Sequence, residues 1–253
     1  MILGAQMYTV RNLCDTLEHF SETLKKIADI GYTTVQVSGT CSFEGEWLKE
    51  QLDSVGLKCV ITHFDRDRIA NETDEVARIH KIFGCDYVGI GWADISNNQQ
   101  GFDSFVEKYK PAAKRLNELG MTLMYHNHDM ELGKLPGHDE IVFETLSRAF
   151  TPEELGFTLD TFWVQAGGGD PAWWIRHFAG RLPRVHLKDM TMVDKERRMA
   201  PVGSGNMNFE AILKACEDAK IEYALVEQDD CYGEDPFDCL KKSYLYLKAQ
   251  GLR

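Results

Sequence analysis

The ten residues MYHNHDMELG, Met124 to Gly133, hold two histidines, two acids and an amide directly after an apolar segment. A His-x-His pair suggests a metal at first sight, with Asp129 and Glu131 as competing oxygen donors. Three later stretches also end apolar runs in ionisable groups. GFTLDTFW carries Asp160, RVHLKDM carries His186, Lys188 and Asp189, and ALVEQDD carries Glu227, Gln228, Asp229 and Asp230. Carboxylates joined by an imidazole suit a divalent ion such as Mn2+, Mg2+ or Co2+, with Zn2+ also accommodated, whereas a thiolate site would use cysteine. Whether these groups meet depends on the elements that carry them.

From Asp15, the run DTLEHFSETLKKIADIG places Leu17, Phe20, Leu24, Ile27 and Ile30 at helical spacing and stops at Gly31. YTTVQVSG follows, β-branched and strand-like. The same grammar returns in EWLKEQLDSVG before LKCVITHF, EVARIHKIFG before CDYVGIGW, and DSFVEKYKPAAKRLNELG before MTLMYHNHD. In the second half LGFTLDTFW, PRVHLKDM and YALVEQDD read as strands, with helix-like DPAWWIRHFAG and NFEAILKACEDAK between them and PFDCLKKSYLYLKAQG last. With the opening ILGAQMYTV, eight strand candidates alternate with helices, which requires parallel strands. This predicts an α/β fold, a (β/α)8 TIM barrel, as one domain over residues 1–253. No G-x-G-x-x-G turn follows the first strand, and GGGD at Gly167 to Asp170 lacks its spacing, so an open dinucleotide-binding sheet fits less well.

Active sites of such barrels lie at the carboxyl ends of the strands. Polar residues there are Tyr8 and Arg11, Gln36 and Ser38, His63 and Asp65, Trp92 and Asp94, and then the acid-rich ends of strands five to eight. Closing the barrel is expected to bring Glu131, Asp160, His186 and Glu227 around one divalent metal ion, Mn2+ by preference, with Glu131 and Glu227 also moving protons. Lys188 shares a strand face with His186 and is expected to hold a substrate oxygen. His63, His126 and His128 are expected to line the mouth, and Trp92, Trp163 and Tyr8, with Phe162, to wall it. Each residue has a plainer reading: Asp160 as a turn cap, His186 as a core histidine, Glu131 as a solvated loop acid, Lys188 as a surface lysine. One shared site explains them jointly with fewer coincidences.

Bulk composition narrows the partners. A net charge of -12 opposes a nucleic acid, whose binders present basic faces. The seven cysteines are scattered without a Cys-x-x-Cys pair, MILGAQMYTV lacks the basic start of a signal peptide, and no apolar run reaches membrane-spanning length. The expectation is a cytoplasmic protein with no membrane or nucleic-acid partner; a homo-oligomer is compatible with all of this. PVGSGN, Pro201 to Asn206, reads equally as an anion cradle of backbone N–H groups or as a glycine turn.

Taken together, LMYHNHDMEL, GFTLDTFWVQAGGGDP, RVHLKDM with the later PVGSGNMNF, and ALVEQDD resemble the xylose isomerase-like TIM barrel superfamily, the sugar phosphate isomerases/epimerases. The resemblance runs from QMYTVR to the closing helix. It implies one ligand from each of strands five to eight, at Glu131, Asp160, His186 and Glu227. It also implies a divalent-metal-dependent isomerase or epimerase of a small sugar, keto sugar or sugar phosphate, acting through an enediolate on a small-molecule carbohydrate. Trp163 stands where epimerase members often carry a histidine, and the nearest basic residues after His186 are Lys188, Arg197 and Arg198 rather than an early arginine. A metal-dependent dehydratase or lyase acting on a keto-inositol or 3-keto glycoside is therefore the alternative. A more distant one is an abasic-site endonuclease-like phosphodiesterase, which needs more ligands and tolerates the negative charge poorly. A metal-free carbohydrate-binding protein would have no use for four ligands.

Overall fold

Eight strands close into a parallel barrel in the computed structural model, which describes residues 1–253. They are β1 (Ile2–Gln6), β2 (Thr34–Val37), β3 (Lys58–His63), β4 (Tyr87–Ile90), β5 (Thr122–His126), β6 (Leu155–Asp160), β7 (Arg184–Leu187) and β10 (Tyr223–Val226). Closure comes from β1 pairing with both β2 and β10, with Ile2 opposite Tyr223. Helices cover the outside: α1 (Leu17–Ile30), α2 (Gly45–Val55), α3 (Arg66–Asn71), α4 (Thr73–Ile82), α5 (Gln99–Glu118), α6 (Val142–Ala149), α7 (Thr161–Ala166), α8 (Pro171–His177), α9 (Phe209–Asp218) and α10 (Pro236–Ala249).

α1 shows how these helices are specified. The Thr16 hydroxyl accepts a hydrogen bond from the His19 N–H at 3.1 Å, which caps the first turn. Gly31 ends the helix at φ 117°, in the left-handed region that costs a residue with a Cβ about 1 kcal/mol or more. Between them Phe20, Leu24 and Ile27 are buried against the barrel, each contributing roughly 1.5–3 kcal/mol.

Along each strand the two-residue period sorts side chains between the helix layer and the barrel interior. In β7 and the residue after it, this puts Arg184, His186 and Lys188 on one face. Arg184 fills the amino-terminal end of the barrel: its guanidinium lies 3.5 Å from the Tyr87 ring centroid and 4.8 Å from that of Tyr223, and Nε donates to Val60 O at 3.0 Å. His186 and Lys188 stand toward the opposite, carboxyl end.

The sequence pattern did not show the second, two-stranded sheet, β8 (Asp189–Val193) with β9 (Glu196–Ala200). Its turn uses Asp194 and Lys195 at φ 51° and 68°, the two positive values of a tight hairpin but without the glycine that usually announces one. Two links also carry a pair of helices, α3 with α4 and α7 with α8, where the pattern suggested one.

The turn over Pro201 to Asn206 is settled by Asp189, which accepts hydrogen bonds from the N–H groups of Gly203 and Gly205 at 2.9 Å each, and of Met190 at 2.8 Å and Met207 at 3.3 Å. The anion in that cradle is the protein's own carboxylate.

His80, on α4, is buried between Val76 O and the Thr62 hydroxyl, each 2.8 Å from a ring nitrogen, and burial pushes it down from 6.5 to about 4. The folded chain therefore keeps this ring neutral while the unfolded chain protonates it. Its stabilising contribution is complete above pH ~6.5 and is lost as the pH falls towards 4, by on the order of 3 kcal/mol. Urea unfolding at pH 7 and pH 4.5 should show the His80→Gln variant losing clearly less stability on acidification than the parent; equal losses would remove His80 as a cause.

Candidate active site and metal centre

The strand ends at the carboxyl face bring four buried side chains to one point. One donor atom from each of His126, Asp160, His186 and Glu227 lies within 4.8 Å of all the others. These residues come from β5, β6, β7 and the residue after β10, neighbours around the closed barrel.

Each donor is aimed by its other end. Asp160 spends Oδ1 on the Trp163 N–H at 2.9 Å, capping α7, and leaves Oδ2 facing the centre. Glu227 accepts from Gln6 Nε2 at Oε1, 2.7 Å, and leaves Oε2. His126 donates from Nδ1 to Gly91 O at 3.1 Å, so Nε2 presents its lone pair 3.3 Å from Asp160 Oδ2. His186 donates from Nε2 to Gln36 Oε1 at 2.6 Å, turning the Nδ1 lone pair toward Glu227 Oε2 at 2.9 Å and Asp160 Oδ2 at 3.7 Å. His186 Nδ1 and Glu227 Oε2 are buried and, despite that closeness, lack the alignment of a hydrogen bond. Two carboxylate oxygens and two imidazole lone pairs turned on one another repel, and a bound cation is what relieves such a set. The cluster is chemically fit to hold a metal ion.

Lys188, almost wholly buried, adds charge beside it. Its ammonium lies 3.1 Å from Asp160 Oδ2, 3.0 Å from Glu227 Oε2 and 2.8 Å from Asp229 Oδ1. Burial works against the charged forms, yet Lys188 holds Asp160 and Glu227 far below the ordinary carboxylate range, and the carboxylates hold Lys188 high. Burial and the neighbouring Glu227 push Asp229 up from 3.8 to about 6. Burial would lower His186, but Glu227 and Asp160 raise it. Three formal negative charges thus surround one ammonium, and a divalent ion would bring the group to neutrality.

Above the cluster opens a cavity of about 490 Å³, lined among others by Tyr8, Arg11, Ser38, His63, Arg66, Trp92, His126, His128, Lys188, Glu227 and Asp229. Burial lowers His128 to about 3 and takes His63 well below 6.5, keeping both rings neutral. His63 Nε2 and His128 Nδ1 are buried without a hydrogen-bond partner.

A family model described as xylose isomerase-like TIM barrel matches residues 24–230. The chain belongs to that family. Solved structures share the fold at low identity. A sugar phosphate isomerase/epimerase from Parabacteroides distasonis ATCC 8503 superposes with a TM-score of 0.79 at 23% identity, covering 98% of this chain and 93% of the other. An L-ribulose 3-epimerase gives 0.75 at 14%, covering 98% and 94%. The IOLI protein with a binding zinc atom gives 0.71 at 15%, covering 98% and 97%. No curated protein matches the chain.

Of the four ligands expected for this xylose isomerase-like chain, the structure gathers Asp160, His186 and Glu227, and not Glu131. Glu131 lies in a short 3-10 turn, Met130–Leu132, beyond the end of β5. Its Oε1 accepts from the Tyr125 hydroxyl at 2.6 Å and its Oε2 from the His128 N–H at 2.8 Å, so both oxygens are engaged behind the strand. Burial raises its pKa, partly offset by those two donors. Strand five instead contributes His126, its last residue, to the cluster. The usable signal was position: Asp160 likewise ends β6, whereas Glu131 is five residues past β5. Gln6 and Asp229 also join the site; a glutamine closing an apolar strand was the cue for Gln6. His63, His126, His128, Trp92, Tyr8 and Lys188 all line the cavity, while Trp163 packs beneath His128 with ring centroids 5.2 Å apart.

Calorimetric titration with Mn2+ and with Zn2+ should therefore separate two variants. His126→Ala is expected to weaken metal binding by more than about 100-fold, beyond the ~10–100-fold typical of an outer partner, and Glu131→Gln by less than about threefold. The reverse order would mean the centre is built on Glu131.

Proposed function

We propose that this protein is a divalent-metal-dependent isomerase or epimerase of a small sugar, keto sugar or sugar phosphate. The observation that carries this reading is the convergence of two carboxylate oxygens and two imidazole lone pairs at the floor of a polar cavity large enough for a monosaccharide. The Parabacteroides distasonis sugar phosphate isomerase/epimerase and the L-ribulose 3-epimerase, which share the fold, agree with it.

His126, Asp160, His186 and Glu227 would hold the ion, Mn2+ by preference for this mixed oxygen and nitrogen set, with Mg2+, Co2+ and Zn2+ as the other candidates. Bound there, a divalent ion supplies Lewis-acid polarisation of a carbonyl, which acidifies the neighbouring C–H. The chain's own groups do the rest. His63 Nε2 and His128 Nδ1 meet sugar hydroxyls, and Trp92 and Tyr8 cover C–H faces. Lys188 places its ammonium where negative charge develops on oxygen as the enediolate forms. Proton transfer falls to Asp229, whose carboxylate lines the cavity beside Lys188 and is not one of the four groups that would hold the ion. Glu131 instead keeps the loop bearing His128 in place through its two hydrogen bonds.

A dehydratase or lyase begins with the same proton abstraction and is distinguished by its product. A multi-metal phosphodiesterase would use more ligands than the single four-residue group found here.

Mn2+-loaded protein incubated in D2O with ketoses, their phosphates, an inosose and a 3-keto glycoside should introduce deuterium beside the carbonyl of at least one of them, read by NMR. Glu227→Gln should slow that exchange by about 100-fold or more while the melting midpoint is kept. Exchange in none of the compounds sinks the proposal; exchange followed by loss of water or of the glycosidic group assigns the lyase instead.

A further inference from the structure

The rim of the cavity carries charge that the proposed chemistry leaves unused. Arg11 and Arg66 both line it. In this acidic chain most surface arginines have a carboxylate partner: Arg68, Arg78, Arg115 and Arg148 pair with Glu72, Glu75, Asp74 and Glu140. Arg11 and Arg66 have none. Arg11 is held by Nη1 donating to Tyr8 O and Asp229 O, both at 2.8 Å, with its guanidinium carbon 4.1 Å from the Tyr8 ring centroid. Arg66 is held in the same manner, Nη1 donating to Trp92 O at 2.8 Å and the guanidinium lying 5.1 Å from the Trp92 ring centroid. Carbonyls and ring faces fix a guanidinium in direction without cancelling its charge, and each leaves Nε and Nη2 free to form the paired hydrogen bonds that an oxyanion accepts.

The charge balance below points the same way. With a divalent ion in place, Asp160, Glu227, Asp229 and Lys188 sum to neutrality, so the two guanidiniums remain as a surplus of positive charge at the entrance. A neutral sugar leaves that surplus uncompensated; a substrate carrying an oxyanion at the end remote from its carbonyl matches it.

We propose that Arg11 and Arg66 form an anion clamp that selects sugars bearing a terminal phosphate or carboxylate. This rests on the sugar-isomerase reading of the same cavity and adds the substrate class and the residues that choose it.

The test is calorimetric titration of Mn2+-loaded protein at low salt with two matched pairs, ribulose 5-phosphate against ribulose and glucuronate against glucose. At least one anionic member should bind about tenfold more tightly than its neutral counterpart, the favoured pair telling phosphate from carboxylate. Arg66→Met, at an exposed position, should cut that preference by about threefold or more. The Arg11→Met, Arg66→Met double variant should bring it within about twofold. If the double variant does not fold, the exposed single variant decides. No anionic member binding more tightly than its partner, or a preference unchanged in Arg66→Met, overturns the clamp. Deuterium exchange in ribulose with no anion preference would remove the clamp and leave the isomerase reading standing; an arginine-dependent preference without exchange would do the opposite.

Discussion

Four electron-rich atoms forced to face one another inside a water-poor interior are the constraint on which this molecule turns. Left alone, Asp160 Oδ2, Glu227 Oε2, His126 Nε2 and His186 Nδ1 would separate, because buried like charges and opposed lone pairs cost several kcal/mol. They stay together because each sits in or directly after a different strand of a closed sheet and because each is tethered at its far atom. Gln6, Gln36, Gly91 O and the Trp163 N–H hold those far atoms. Lys188 offsets part of the repulsion from one side. The stability of the rest of the barrel is what keeps an unfavourable local arrangement in place, a common relation between scaffold and site.

The barrel distributes its labour along each interior column. In the column begun by Arg184, one cation closes the amino-terminal end over two tyrosine rings, an imidazole follows, and a second cation finishes beside the carboxylates. The closed end is filled by aromatic rings around one cation, and the open end gathers the charged groups. Function accumulates where the strands stop, since only there does backbone give way to loops that admit a ligand.

Much of this was legible in the sequence. Eight apolar runs, four of them preceded by a helix ending in glycine, define the strand–helix alternation, because periodicity and helix stops are local properties of the chain. The convergence of Asp160, His186 and Glu227 was readable for the same reason, each lying near or just beyond the carboxyl end of an apolar run. Glu131 stands apart from the cluster because a 3-10 turn beyond β5 carries it to the Tyr125 hydroxyl and the His128 N–H, a path that distance along the chain does not reveal. Its carboxylate anchors the backbone of His128. The β8 and β9 hairpin stayed hidden because its turn is made by Asp194 and Lys195, without the glycine that usually marks such a turn. The roles of Gln6 and Gln36 depend on pairings more than a hundred residues away, beyond the reach of any local pattern.

Asp189 carries a different kind of implication. This one carboxylate gathers four backbone N–H groups, closing the loop after the hairpin onto the start of β8, just past the strand that bears His186. The hairpin tip between those anchor points makes no contribution to the donor cluster. Its length and side chains are therefore free to drift over evolutionary time without disturbing the donor cluster.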